Sequence, residues 1–503
     1  MSEKFIVTIT PPTPNGDLHI GHIAGPFLNA DIFTRTQRLK GAQCYLVSYS
    51  DDYQSYLKRK AIEENTESAA LAKFNSAKIQ ASLKIADIHV DHWLESYENH
   101  HFEDAVRILY ELGIEHSLIE AKTSSEPYCE NCELWGYEAF ARGGCNHCGS
   151  SSDPSQCECC AMAPNSLEMT DLKCTRCNQP VIHKSVERMF LKLPTIANAL
   201  HSYLEKSPMR PKLRSWVNQV FKQGVTDWGV TRPGESGLKL YDKEISRVHT
   251  WFMGLAGYFA ALNELSVQNE LAHDAFELLF DKDTRMVNFL GMDCSYSHVL
   301  AYPAQVLLDK RFKFKNIFYT NDFLKLDGLD FSTSRSHAIW VQELIKDACV
   351  DSVRFYVALV TPEDQSENFS VEEFFFWRDR IFKKLIPKII TALQPEGMPI
   401  LIGAPNLSDL EERIVEQWHE GAQHDNFSLK KMASALMKLL EFIDIRLSEG
   451  ELPRSSLTLF ILLSEPVMPT LSQRLQQLLD IHECTVFKAL LGLNMVKKAK
   501  NFE

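Results

Sequence analysis

The sequence of 503 residues contains no apolar run close to the ~20 residues that a membrane span needs; its longest, such as Leu457–Leu463, fall far short. A basic leader followed by an apolar stretch is also missing. The chain opens Met1-Ser-Glu-Lys-Phe-Ile-Val-Thr-Ile-Thr10, a strand pattern from the start, so a cytoplasmic protein with no membrane partner is expected. Positive charge is in deficit, 53 Lys+Arg against 66 Asp+Glu, for a net charge of −13. That argues against indiscriminate nucleic-acid binding and leaves room only for a partner held by a local basic face. Internal repeats and low-complexity tracts are absent. With 45% apolar and 24% charged residues, disorder throughout and a fibrous chain are excluded. Cysteine is sparse except in one stretch: of thirteen, nine lie between Cys129 and Cys177.

What is present begins with an apolar strand over residues 4–10, which runs into Pro11-Pro12-Thr13-Pro14-Asn15-Gly16, a loop that no regular element accommodates. A helix is expected from Leu18 to Leu39, ended by Gly41, then a buried strand over Ala42–Ser48 and helix to about Leu83. Strand, turn and helix at this spacing predict a parallel α/β sheet. Between about 120 and 190 the composition turns to Cys, Gly, Ser and Asn, too poor in aliphatics to form a core unaided. Helical periodicity returns over 196–223 and α/β patterning over 245–318. Beyond about 375, Leu429, Met432, Leu436, Leu439, Leu440 and Ile443 share one helical face, and the last stretch reads as a helical bundle.

The cysteines form four Cys-x-x-Cys pairs: Cys129/Cys132, Cys145/Cys148, Cys157/Cys160 and Cys174/Cys177. Each pair can present two thiolates to a tetrahedral zinc, and two pairs close a site to water. Two structural Zn²⁺ are therefore expected, in a nested pairing of 145/148/157/160 inside 129/132/174/177. Gly149 supplies the tight turn of a knuckle, and Cys159 is left over. No pair leaves the open position that a catalytic zinc requires.

Leu18-His19-Ile20-Gly21-His22 opens a helix directly after the Pro/Asn/Gly loop. Free N–H groups and the positive dipole end there favour an anion. Two imidazoles three residues apart suit a nucleotide phosphate, donating to charge that develops at the α-phosphate. Gly21 lets a flat ligand approach the backbone.

Pro12-x-Pro14-Asn15-Gly16-x-Leu18-His19-Ile20-Gly21-His22 resembles the HIGH signature of class I aminoacyl-tRNA synthetases. The continuation Ala24-Gly25-Pro26-Phe27-Leu28-Asn29-Ala30-Asp31-Ile32 is similar to the methionyl branch. So are Asp51-Asp52, the knuckles, Asp227-Trp228-Gly229-Val230-Thr231-Arg232, Trp251-x₆-Tyr258 and Phe289-Leu290-Gly291-Met292-Asp293-x₄-His298. The resemblance implies a Rossmann-type parallel sheet split by a zinc-knuckle insertion and followed by a C-terminal α-helical bundle. The implied division is 1–117 and 196–318 as the halves of the catalytic domain, 118–195 as the insertion, 319–375 as a stem-contact region and 376–503 as an anticodon-binding-like domain.

By the same resemblance His19 and His22 are catalytic, while Pro14, Asn15, Gly21, Gly291 and Asp293 hold ATP, with Mg²⁺ expected. Asp52 receives the amino acid's ammonium group, and Thr13, Trp251, Leu255, Tyr258 and His298 surround its side chain. Two substitutions stand out in that pocket: Thr13 replaces a tyrosine of the family pattern, which enlarges the space, and Leu255 replaces a proline. The second ATP signature, Lys-Met-Ser-Lys-Ser in the family, reads Asp330-Phe331-Ser332-Thr333-Ser334-Arg335 here. Ser332, Ser334 and Arg335 are its remaining catalytic candidates. Loss of one transition-state donor typically costs about 10²–10³ in rate, so the absence of both lysines implies slow adenylation.

The helix Phe374-Phe375-Phe376-Trp377-Arg378-Asp379-Arg380-Ile381-Phe382-Lys383-Lys384 lacks the family's Asn-x₃-Arg anticodon motif, although Arg378, Arg380, Lys383, Lys384 and Lys388 suit phosphates. The reading that follows is a monomeric ligase that activates methionine or a methionine-like amino acid with ATP and transfers it to tRNA. The alternatives are a paralogue serving a non-translational acceptor and a non-catalytic module that binds an amino acid or RNA.

Overall fold

The structure is a computed structural model that describes residues 3–241, 246–331, 337–393 and 407–478. Five parallel strands form the central sheet: β1 (Lys4–Ile9), β2 (Gln43–Ser50), β3 (His92–Glu95), β4 (Thr284–Gly291) and β5 (Lys315–Asn321), in the order β5-β4-β1-β2-β3. This is the doubly wound arrangement, with both faces covered and hence near-continuous apolar strands. Alternation divides each strand between two cores. Phe5, Val7 and Ile9 of β1 pack with Val287 and Phe289 of β4 and with the C-terminal helices. Ile6 of β1 and Met286 and Leu290 of β4 face the opposite side, against α2 (Thr250–Gln268).

The helix expected from Leu18 to Leu39 is interrupted. A short turn Ile20–His22 passes into a π-helical turn Ile23–Phe27 before α1 (Leu28–Leu39) becomes regular. Pro26 is the cause, since it has no N–H to give to a regular ladder. Asn29 compensates by donating its side-chain amide to the Gly25 carbonyl at 2.8 Å.

The insertion leaves the sheet as a long antiparallel pair, Ile119–Cys129 with Ile182–Leu191, and carries a small three-stranded sheet, Ala141–Gly144, Ser151–Ser152 and Thr170–Cys174, at its far end. The C-terminal part is helical as expected: α3 (Asp409–Gly421), α4 (Leu429–Ser448), α5 (Arg454–Leu463) and α6 (Pro469–Leu478). Met432, Leu436, Leu439, Leu440 and Ile443 are fully buried on one face of α4, which continues the core of the sheet.

Arg354, 1% exposed, fastens this helical end. Its guanidinium pairs with buried Asp31 of α1 at 2.7 Å and donates to the carbonyls of Ala86, Asp87, Pro466 and Val467. A buried charge is tolerated only with such complete pairing, and removal of one partner costs about 3–5 kcal/mol.

Candidate active site and cysteine clusters

The strand order reverses between β1 and β4, and ligands of such sheets sit outside the carboxyl ends at that point. A cavity of about 180 Å³ opens there. Thr10, Pro11 and Thr13 line it from the loop after β1, Asp51 from the end of β2, Thr250 and Trp251 from the start of α2, and Asp293, Cys294, Ser297 and His298 from the segment after β4. That segment runs into a π-helical turn, Tyr296–Ala301, and Ser297 and His298 of the turn line the cavity with Tyr302 just after it.

Of the two consecutive aspartates, Asp51 faces the cavity and Asp52 does not line it. Asp51 is 6% exposed, accepts from Gln54 Nε2 at 2.6 Å and from the Thr250 hydroxyl, and burial pushes its carboxyl up to about 7. Asp52 is turned into the protein. It accepts from Ser50 Oγ at 2.5 Å, Ser96 N at 3.0 Å, Ser96 Oγ at 3.1 Å and Tyr97 N at 3.1 Å. These bonds hold the loop after β3, so it is Asp51 whose carboxylate meets the cavity. Strand alternation gives the signal in retrospect, because neighbours at a strand end point to opposite sides.

The other pocket candidates also divide. Thr13, Trp251 and His298 reach the cavity. Tyr258 stands behind it, fully buried, its hydroxyl 3.2 Å from His298 Nε2 and 3.2 Å from the Ile9 carbonyl. Leu255 is part of the core. Tyr49 and Tyr302 supply aromatic wall instead. They approach so closely because α2 carries Gly257 and Gly254; a Cβ on these would lie 2.4 Å from Tyr49 and 1.6 Å from the Tyr302 hydroxyl. Burial lowers His298 to about 4, so its imidazole is neutral at pH 7.

The HIGH residues sit beside the cavity without lining it. The His19 and His22 rings stack at 3.8 Å, and the His19 backbone N–H donates to His22 Nδ1 at 3.2 Å. Burial is the main cause that holds His19 down to about 2 and His22 to about 4; both are neutral donors at pH 7. Phe331 lies flat on His19, centroids 4.7 Å apart, and a Cβ on Gly21 would come within 3.2 Å of its ring. Asn15 donates its N–H to the Thr13 carbonyl at 2.8 Å, and the Pro14 carbonyl accepts from Asn75 at 2.9 Å, which fixes the loop. Gly291 ends β4, where a Cβ would meet Asp293 Oδ1 at 2.3 Å. Ser332, Ser334 and Arg335 lie outside the described residues.

Both cysteine groups close in the nested arrangement. Cys129, Cys132, Cys174 and Cys177 form one and Cys145, Cys148, Cys157 and Cys160 the other, with all sulfurs of a group within 4.8 Å of one another. Cys129–Cys177, Cys148–Cys157 and Cys145–Cys160 are separated by 3.5, 3.6 and 3.9 Å. Four thiolates at ordinary zinc–sulfur distance would stand about 3.8 Å apart, so the donor sets fit tetrahedral zinc. Gly149 has φ +76, as the knuckle turn requires. Exposed Cys159 belongs to neither group.

The inner group does more than the spacing suggests. Asp153, Gln156 and Glu158, on the loop between its cysteines, line the cavity at the sheet. Tyr56 donates to Asp153 Oδ2 at 2.9 Å and Trp216 to the Cys160 carbonyl at 3.0 Å, which docks the knuckle on the catalytic half. Nothing in the sequence marks these contacts, because they join residues 97 and 56 positions apart. At the helical end, Arg378 and Lys383 pair with Asp379, and Lys388 with Asp444 at 2.9 Å.

A family model described as tRNA synthetases class I (M) matches residues 5–392. The sequence is 26% identical to methionine–tRNA ligase of Thermomicrobium roseum over 522 aligned residues, 96% of this chain and 88% of the relative. It is 27% identical to that of Picrophilus torridus over 393 residues, 77% of this chain and 56% of the relative. The fold is similar to Mycobacterium tuberculosis methionyl-tRNA synthetase bound by methionyl-adenylate, with a TM-score of 0.69 at 16% identity, covering 94% of this chain and 93% of that one. Sheet order, HIGH-bearing loop and paired knuckles fit this match, and the chain belongs to the methionyl-type class I tRNA synthetases.

Proposed function

We propose that the cavity activates an amino acid with ATP and that the acyl group then passes to tRNA. In this reading the amino acid's carboxylate attacks the α-phosphate, the bond to the bridging oxygen breaks and pyrophosphate leaves. Asp51 receives the ammonium group, and Thr13, Trp251 and His298 face the side chain. Neutral His19 and His22 donate to the phosphate oxygens as charge develops. Pro14, Asn15 and Gly21 leave the backbone open to the nucleotide, while Gly291 and Asp293 meet its ribose. ATP enters with Mg²⁺. Zinc, held by the two sets of four cysteines, would supply rigidity to the insertion and no chemistry to the reaction. The domain limits 1–117, 118–195, 196–318, 319–375 and 376–503 are part of the same proposal.

The observation that carries this reading is the placement of Asp51, Thr13, Trp251 and His298 in one cavity beside the strand that leads into the histidine pair. The adenylate bound by the Mycobacterium tuberculosis relative supports the ligand class. The test is ATP–pyrophosphate exchange over a panel of amino acids. An amino-acid-dependent signal is expected, and His22→Ala is expected to abolish it. A panel without any signal would overturn the reading. The ion pairs that engage Arg378, Lys383 and Lys388 favour a second reading, in which the acceptor is not tRNA. Exchange without transfer to bulk tRNA would support it.

A further inference from the structure

The cavity wall is acidic beyond what activation of a neutral amino acid needs. Asp51, Asp153, Glu158 and Asp293 all line it, and no Lys or Arg does so among the described residues. Its one imidazole, His298, is neutral and hydrogen-bonded toward Tyr258 and the Cys294 carbonyl. The ammonium group of any amino acid answers one carboxylate, Asp51, and a ribose needs only the hydrogen-bond acceptor of Asp293. Two carboxylates from the knuckle loop remain. Asp153 is 4% exposed, and its bonds come from neutral donors: Ser155 N at 2.7 Å, Gln156 N at 2.9 Å and the Tyr56 hydroxyl at 2.9 Å. Among the described residues Glu158 has only a distant outward partner, Arg142 at 3.7 Å, itself exposed.

A second observation is independent of charge. Gln54, 6% exposed, lines the cavity and gives its amide N–H₂ to Asp51, while its Oε1 has no partner among the described residues. A buried acceptor left in this way costs about 1–3 kcal/mol unless a ligand donates to it. Thr13, where the family pattern has a tyrosine, opens the space and leaves its hydroxyl at the cavity in place of a ring. A thioether offers neither charge nor donor to such a wall.

We propose that the cavity selects an amino acid with a cationic side chain, an amine or guanidine, which the knuckle carboxylates Asp153 and Glu158 and the Gln54 carbonyl receive. This rests on the reading of the cavity as the amino-acid site of adenylation. It gives the inner cysteine group a part in specificity, since the loop it closes carries both carboxylates.

The test uses the zinc-loaded full chain and calorimetric titration with non-hydrolysable sulfamoyl adenosines of lysine, ornithine, methionine and norleucine, with and without magnesium. The lysine or ornithine compound is expected to bind about tenfold or more tightly than the neutral pair, because a site lined with acceptors rejects a ligand that has no donor for them. Glu158→Gln, on an exposed side chain, is expected to narrow that gap about threefold or more, and Asp153→Asn to narrow it further. Thermal melts and circular dichroism identify a variant that has lost its fold. Equal or tighter binding of the methionine compound would overturn the inference and leave the adenylation reading standing. Magnesium that raises the methionine compound to the level of the cationic ones would also overturn it, by assigning the wall to a metal ion. Binding of none of the four would remove both readings. Equal weakening of all four by Glu158→Gln would reduce that residue to a structural role and count against the inference.

Discussion

Cys129, Cys132, Cys174 and Cys177 close the end of the long Ile119–Cys129/Ile182–Leu191 pair, whereas Cys145, Cys148, Cys157 and Cys160 close a loop folded back on the catalytic sheet. The ligand sets are chemically identical and their sulfurs equally close. They differ in what lies between the ligands. The outer group encloses the small sheet and contributes nothing to the cavity at β1 and β4; the inner one delivers Asp153, Gln156 and Glu158 to it. A zinc held at the outer group would be a clasp, whereas one held at the inner group would also fix part of the cavity wall, and the reach of the enclosed loop makes the difference.

Breaking the inner group gives the largest expected effect. Cys157→Ser should lower zinc content from two ions to one and weaken binding of an aminoacyl-adenylate analogue by about 100-fold or more, because the loop folds on the free energy of metal binding. Asp51→Asn comes next. Loss of a buried charged partner should raise the amino-acid KM about 10–100-fold in pyrophosphate exchange, while Asp52→Asn should act mainly on the melting temperature.

The pH dependence is of similar origin. Asp51 must be ionised to pair with an ammonium and titrates at about 7 in the free protein, so amino-acid affinity should fall as pH drops below that value and level off above it. The fall should approach about tenfold per pH unit, and Asp51→Asn should flatten it. Tyr56→Phe removes one bond to Asp153 and should cost a few-fold in analogue binding, about 1 kcal/mol. Cys174→Ser sharpens the contrast from the other side. It should also release one zinc yet change analogue binding by less than about threefold, as the loop facing the cavity keeps its own metal. Equal losses from Cys157→Ser and Cys174→Ser would dissolve the distinction.

Period and spacing carried much of this molecule. The strand at residues 4–10, the strand near 42–48, the apolar face of α4 and the four Cys-x-x-Cys pairs all follow from local pattern, since each depends on residues close in the chain. The exact side of the cavity did not. Asp52 was expected to meet the ammonium group, and Leu255 and Tyr258 the side chain; the residues that line the cavity are Asp51, Tyr49 and Tyr302. Such assignments depend on how glycines 254 and 257 admit two rings from other elements, a matter of tertiary packing. The π turns at Ile23–Phe27 and Tyr296–Ala301 shift register by one residue, which helical periodicity does not reveal.

Arg354 bears on modularity. A boundary near residue 376 invites the view that the helical end is a detachable attachment, to be trimmed or exchanged between relatives. Two of the carbonyls that solvate the Arg354 guanidinium, those of Pro466 and Val467, belong to that end, while its counter-charge Asp31 sits in the first helix after the nucleotide loop. Deleting the end would strand a cation in the floor of the catalytic half. Grafting experiments on this scaffold should therefore keep the 466–467 turn with the sheet, or replace Arg354 and Asp31 together with apolar residues of matching volume.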